Sequence, residues 1–561
     1  MTKHRLNYTK TLLLVTSLFV IGVLALHFTS KSNADTVSTS VTVGNTPPSF
    51  SGDAAENPAS DDTTPTDVGA DVTFEATAND PNLEDYYLII CKTNAVTPTN
   101  GGAPTCDGGQ WCISSATSSG SQASCSYTVQ ATDTNESYDW YAFVCDSNSS
   151  SAQCSSANQG SGNSGSPFSV NHPPVFNTIS NDGPKNPGEA VTWSTNSSTT
   201  DPDTAGTADT VKLIVCKTPG ITADDCDGGA TDRWCVSGFV ADSPSCSYTP
   251  PIPTADDTYD AYVYLVDQHY LASTSTTQGT NSSYDVNNVN PVVSNVVIDN
   301  GNDINLNESS TYSVTITADV TDNNGCSTTE IPTVVTSLYR SAVGSANCDS
   351  AGEEDYDSCY PVKSCTQNSC TGAGATYTCT VDMQYHADPT DTDTPYTAEN
   401  WLSTVLATDD DSAQGSTESA SGVEVNSLTA MDVTSAIDYG LQTVGTNTGN
   451  LDQTTVVTAT GNVGLDEQLS GTDMTDGSGH TIVVTQQHYD LSQVAYSSAT
   501  PLTTTDTEVE LNVAKTKSTG TTTNPETGDT WWGIEIPTGT VSGSYTGQNT
   551  VTAVKGEYAD W

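Results

Sequence analysis

Basic side chains are scarce in this sequence: 14 Lys and Arg stand against 68 Asp and Glu, a formal net charge of −54. That balance repels nucleic acid and anionic lipid, so DNA and RNA binding are excluded, and the attraction runs toward divalent cations and cationic partners. Long apolar runs are also missing after the first, which spans Leu12 to Leu26. Cysteine is absent beyond Cys379, and no long period-3.6 apolar pattern follows the first run. The seven His include no His-Glu-x-x-His pair, and no Gly-x-Ser-x-Gly elbow occurs, so no nucleophile and base are visible and no enzyme is expected.

What is present begins with Lys3, Arg5 and Lys10 ahead of the Leu12–Leu26 run, and Ser32, Asn33 and Ala34 after it. This reads as a signal peptide over residues 1–34, with an uncleaved N-terminal anchor as the alternative and the one route to a membrane. The expected location is therefore the cell surface or the extracellular space. Beyond it, short runs rich in Val, Ile, Tyr and Thr recur between turn-forming clusters, as at Tyr86 to Ile90, Val211 to Val215, Tyr259 to Val266 and Tyr312 to Ile316. These are strands, and the fold class is all-β.

The chain restarts at Asn45-Thr-Pro-Pro-Ser-Phe, at Asn171-His-Pro-Pro-Val-Phe and more loosely at Asn288-Val-Asn-Pro-Val-Val. The restarts are roughly 120 residues apart, which suits one immunoglobulin-like sandwich with an insertion. Within the units, Leu88-Ile-Ile-Cys-Lys-Thr matches Leu213-Ile-Val-Cys-Lys-Thr, and Cys125-Ser-Tyr-Thr matches Cys246-Ser-Tyr-Thr. The organisation predicted is domain 1 over residues 35–171, domain 2 over 172–289, a diverged domain 3 with a Cys-rich insertion over 290–427, and a Cys-free sandwich over 428–561. Stiff Pro pairs between units predict an elongated rod of tandem immunoglobulin-like β-sandwich domains.

Cysteines fall into the first three units as six, four and six, so each unit can close its own bridges in an oxidising compartment. The first holds Cys91, Cys106, Cys112, Cys125, Cys145 and Cys154; the second holds Cys216, Cys226, Cys235 and Cys246. Cys216 with Cys226 and Cys235 with Cys246 are favoured as local staples, and Cys145 with Cys154 as a pair the second unit lacks. A zinc site is the rival for Cys106 with Cys112 and for Cys365 with Cys370.

Acidic positions repeat as well. Asp80 and Asn82 recur as Asp201 and Asp203 and, more loosely, as Asp319 and Asp322, while a late strand ends in Asp146, Asp267 and the run containing Asp409 and Asp411. Carboxylates and amide carbonyls gathered at loop ends are what calcium requires; the alternative is that Asp-Pro and Asp-Asn pairs only make turns.

On the Asn-x-Pro-Pro-x-Phe openings, the Asp-Pro-Asp or Asp-Pro-Asn turn and the late Val-x-x-Asp strand end, residues 45–425 resemble bacterial and archaeal surface proteins of immunoglobulin-like, cadherin-like or polycystic-kidney-disease-type repeats. The resemblance implies an adhesin, S-layer subunit or stalk. The openings lack the acidic residues of a cadherin linker, so a cadherin-type calcium box does not carry over. The last segment, through Ile437-Asp-Tyr-Gly and Thr455-Val-Val-Thr-Ala-Thr-Gly-Asn, resembles the abnormal-spindle and hydin-type sandwich, with the stretch from Trp531 as its closing hairpin.

The expected function is a non-enzymatic structural protein of the cell surface, an envelope coat or S-layer-like subunit whose partners are copies of itself or envelope components. An adhesin binding glycan or a surface protein is the alternative, using Trp111, Trp140 or Trp234, although Trp111 and Trp234 directly precede Cys112 and Cys235 and read rather as cores around a bridge; a secreted hydrolase with paired carboxylates is third. Asn524-Pro-Glu-Thr-Gly, which mimics a wall-sorting signal, is expected to be a loop.

Overall fold

The computed structural model describes residues 37–155, 159–160, 166–205 and 208–561. The signal-peptide reading of residues 1–34 lies outside them. Among the described residues every helical element is a single 3-10 turn of three residues, and all other regular structure is strand. No described helix is long and apolar enough to cross a membrane. The chain divides into two compact units, one drawing on residues 37–57, 73–127 and 139–166, the other on 58–72, 128–138 and 167–561.

In the first unit, Asp71–Asn79 alternates strictly, turning Val72, Phe74, Ala76 and Ala78 inward, which is the period-2 signature of a sheet with one dry face. Ser49–Phe50, Ala55–Glu56 and Gln122–Thr128 pair with it. A second sheet runs Gln159–Gly160, Tyr141–Asp146, Tyr86–Cys91, Gln110–Ile113. Trp140 is fully buried, edge-on to Phe74 at 5.2 Å, and its indole N–H donates to the Glu56 carboxylate at 2.7 Å. Bridges join Cys91 to Cys106, Cys112 to Cys125, and Cys145 to Cys154.

The second unit repeats the pattern. Val191–Ser194 lies between Ser180–Asn181 and Ser245–Tyr248, while Val211–Cys216 lies between Arg233–Val236 and Tyr262–Asp267. Trp193, Leu213, Val215, Val263, Leu265 and Tyr284 fill the space enclosed. Cys216 bonds to Cys226 and Cys235 to Cys246. Further along, seven strands follow one antiparallel path: Val292–Ile298, Tyr312–Thr321, Gly374–Met383, Cys359–Thr371, Thr333–Arg340, Trp401–Thr408 and Gln414–Glu418. The Cys-rich insertion is the long hairpin Cys359–Thr371 and Gly374–Met383, pinned by Cys326–Cys370, Cys348–Cys359 and Cys365–Cys379. Because Cys106, Cys112, Cys365 and Cys370 are all consumed in bridges, the zinc reading falls.

Residues 431–555 form a five-stranded and a three-stranded sheet. The expected closing hairpin from Trp531 is corrected here. Thr527–Ile534 is an interior strand paired on both edges, with Gln453–Ala459 and with Gln487–Asp490. The chain then leaves that sheet, Pro537 having no N–H to extend a ladder, and Asn549–Lys555 pairs with Leu465–Gly471 in the other sheet. The Asn524-Pro-Glu-Thr-Gly stretch is also more ordered than a loop: only Pro525 and Glu526 separate the strands Thr522–Asn524 and Thr527–Ile534.

Candidate functional site

One arrangement of oxygen atoms occurs three times. Each time, the Asn that opens a unit donates its side-chain N–H to the aspartate closing a late strand: Asn45 to Asp146 at 2.7 Å, Asn171 to Asp267 at 3.0 Å, and Asn288 to Asp409 at 3.0 Å. Each time, a loop aspartate accepts the backbone N–H two residues on: Asp80 from Asn82 at 2.6 Å, Asp201 from Asp203 at 2.8 Å, and Asp322 from Asn324 at 2.8 Å. The side chain at that second position then accepts the backbone N–H just after the opening Asn, Thr46 to Asn82, His172 to Asp203 and Val289 to Asn324. Three stretches of chain, two of them about a hundred residues apart, thus meet around one small space.

The bonds leave the same oxygens over. Oδ1 of Asn45, Asn171 and Asn288, and Oδ2 of Asp80, Asp201 and Asp322, are buried and meet no donor; the same holds for one carboxylate oxygen each of Glu84 and Glu330. Carboxylate oxygens of Asp80, Glu84 and Asp146 lie within 4.8 Å of one another, as do those of Asp201, Asp203 and Asp209. Burial foremost pushes the Asp201 carboxyl up to about 7 against the bond from the Asp203 N–H, with repulsion from Asp203, Asp267 and Asp209 adding to the rise. Burial likewise lifts Asp267 to about 6 against bonds from Leu271, Asn171 and His269. Glu330 is lifted to about 7 by burial and by Asp256, Asp410, Asp322 and Asp409. In the second cradle two imidazoles stand against this charge, His172 Nδ1 at 2.6 Å from Asp203 and His269 Nε2 at 3.4 Å from Asp209, and they leave Oδ2 of Asp201 and Oδ1 of Asn171 without a donor.

Of the residues singled out from sequence, Asp80 and Asp146 meet in the first cradle, Asp201, Asp203 and Asp267 in the second, and Asp322 and Asp409 in the third. Asn82 accepts the Thr46 backbone N–H on its side-chain oxygen. Asp319 stands apart, within the strand Tyr312–Thr321, where it accepts from Asn295. Asp411 groups instead with Asp256 and Asp410, and a further group joins Asp466, Glu510 and Glu557. Sequence reasoning missed the amides Asn45, Asn171 and Asn288 and the carboxylates Glu84, Asp209 and Glu330. Each amide is the first residue of a recurring opening, so the repeat itself was the signal.

Trp140 and Trp111 are buried, while Trp234 is half-buried and packs on the core that holds Cys235 and Cys246, in keeping with its place next to a bridge. Trp140 is 0% and Trp111 7% exposed. Trp234 is ringed by Tyr248, Tyr259 and Tyr284 and covered by Lys217.

A different cluster does hold its own cation. Lys515, almost fully buried, bridges Asp357 at 2.9 Å and Asp388 at 3.1 Å, and Arg340 reaches Asp388 at 3.1 Å and Glu399. His386 Nδ1 lies 2.9 Å from Asp357. Burial raises Asp357, but the His386 hydrogen bond, the Lys515 charge and the Ser518 N–H overcome it and hold the carboxyl down at about 2.

The fold is that of an all-β protein of successive disulfide-bridged sheets, suited to an oxidising, extracellular setting. No protein-family model matches the chain, and no curated protein does either. Among solved structures it is similar to protocadherin gamma B2 extracellular cadherin domains 3-6, at 10% identity over 86% of this chain and 98% of that one, TM-score 0.24. It is similar also to a marsupial T cell receptor, at 10% identity over 61% and 93%, TM-score 0.22, and to chicken CNTN1 FN1-FN3 domains, at 6% identity over 68% and 99%, TM-score 0.15.

Proposed function

We propose that the chain is an exported, non-enzymatic structural protein of the cell surface, a subunit of an S-layer-like envelope coat that assembles with copies of itself or with other envelope components. The observation that carries this reading is the repetition of one bridged unit with the same buried acidic cradle, which gives a chain durable outside the cell and strongly negative along its length. Among the described residues all cysteines are in eight bridges, which supports export to an oxidising compartment. For the adhesive reading, Trp140 and Trp111 are buried and the half-buried Trp234 is the aromatic still within reach of a partner.

Protease shaving of intact source cells, with quantitative mass spectrometry of the released peptides, tests the proposal. A coat subunit gives fragments of residues 47–561 among the most abundant surface material. Scarce fragments favour adhesion, and fragments confined to the medium overturn the surface assignment.

A further inference from the structure

We propose that each of the three cradles binds one calcium ion, using the opening Asn carbonyl oxygen, the loop aspartate, and the carboxylates facing them. The ligand oxygens are Asn45, Asp80, Glu84 and Asp146 in the first; Asn171, Asp201, Asp203, Asp209 and Asp267 in the second; Asn288, Asp322, Glu330 and Asp409 in the third.

Turn formation accounts for only half of what is seen. The bond from the i+2 backbone N–H satisfies Oδ1 of Asp80, Asp201 and Asp322, which is an Asx turn and requires no ion. It leaves Oδ2 of the same residues without a donor, although Asp80 is 2%, Asp201 6% and Asp322 1% exposed. Asn171 is independent of the acidic cluster as an observation. Its side chain is 0% exposed, both its side-chain N–H bonds are spent on Asp67 and Asp267, and its Oδ1 is left bare. A buried carboxylate oxygen without a partner costs free energy that a hydrogen bond or a cation must offset. Finding the same two atom types bare in all three cradles makes a chance vacancy in side-chain placement a poor account.

Chemistry selects the ion. The bare atoms are all oxygen and mostly anionic, so soft-ligand metals are not favoured. Carboxylate oxygens of the first and second cradles lie within 4.8 Å of one another, close enough to share one ion, and four or five protein oxygens per cradle suit calcium, which takes six to eight oxygen ligands, better than magnesium, which keeps several waters and binds through one or two carboxylates. Each ion would fasten an opening segment to a loop and to a late strand end, closing chain separations of 101, 96 and 121 residues. This goes beyond the coat reading and holds whether or not the chain assembles.

The test is a calorimetric titration of calcium into the purified, disulfide-bonded chain, beside Asp80→Asn, Asp201→Asn and Asp322→Asn singly and together. The expected result is at least three calcium ions per chain, one fewer in each single variant and three fewer in the triple, with magnesium binding more weakly at the same sites. Fewer than three ions on the unaltered chain, a stoichiometry unmoved in the triple variant, or equal magnesium affinity overturns the proposal. Should a buried Asp variant fail to fold, as near-ultraviolet circular dichroism would show, the half-buried Glu84→Gln, Asp209→Asn and Asn288→Ser take its place with the same expected losses. Because the titration uses isolated protein and shaving uses cells, one can fail without the other.

Discussion

Asn171 donates its side-chain N–H to Asp267 at 3.0 Å while its carbonyl oxygen, wholly buried, meets no donor. The pairs Asn45 with Asp146 and Asn288 with Asp409 repeat that geometry. A neutral amide that orients a carboxylate and still presents a free oxygen is placed to coordinate, since a cation can take both atoms without breaking the bond between them.

The disulfides should differ in what their removal costs. The loop-entropy account assigns about 4 kcal/mol to Cys326–Cys370, with a separation of 44, and about 2.6 kcal/mol to Cys145–Cys154, with a separation of 9. Urea unfolding of the two double Cys→Ser variants measures both, and the expected order is the larger loss for the longer loop. Equal losses would mean that local packing, rather than chain entropy, sets the contribution.

Gly415 is required by backbone contact. A Cβ there would lie 1.8 Å from the carbonyl oxygen of Pro291, a main-chain atom that cannot rotate away. Gly415→Ala should therefore displace the strand Gln414–Glu418 and cost at least about 2 kcal/mol. Gly372→Ala, where the added carbon meets open space, serves as the comparison at a position whose positive φ alone carries the strain. A Gly415→Ala melting curve no lower than that of Gly372→Ala would contradict the contact.

Acid should act through Asp357. Its carboxyl is held at about 2 in the fold, by His386, Lys515 and the Ser518 N–H against burial, and stands near 3.9 unfolded. A lowered folded value contributes stability that is complete above the unfolded value and is lost as pH falls from about 4 toward 2. That contribution is of the order of 2 kcal/mol. Asp388, raised first by burial despite Lys515 and Arg340, works in the opposite sense. Asp357→Asn should accordingly weaken the fold at pH 7 and flatten the fall in stability between pH 4 and 2, measured by denaturant unfolding across that range. A variant whose pH profile parallels the unaltered chain would contradict the assignment.

Much of the fold can be read along the chain, and the reasons are local. The β-branched runs at Val211 and Tyr312 mark strands, and close cysteine spacing is enough to suggest Cys216 with Cys226, because a short excursion between strands brings its ends together. The position of Thr527–Ile534 between two other strands is not legible, since pairing on both edges depends on residues some 40 and 70 positions away. The cradles were half legible. Charge draws attention to Asp80, Asp201 and Asp322, but Asn45, Asn171 and Asn288 carry none, and Glu84 and Glu330 fall outside the repeated motif. Trp140 looked like a surface aromatic because nothing in sequence shows that Glu56 waits to accept its N–H.

Thermal unfolding of the full chain in about 1 mM calcium against excess chelator tests the three cradles most directly, because a ligand bound only by the folded state raises the midpoint by mass action. The expected result is a midpoint at least about 3 °C higher with calcium, an increment that shrinks with each of Asp80→Asn, Asp201→Asn and Asp322→Asn. Superimposable curves with calcium and with chelator would contradict the account.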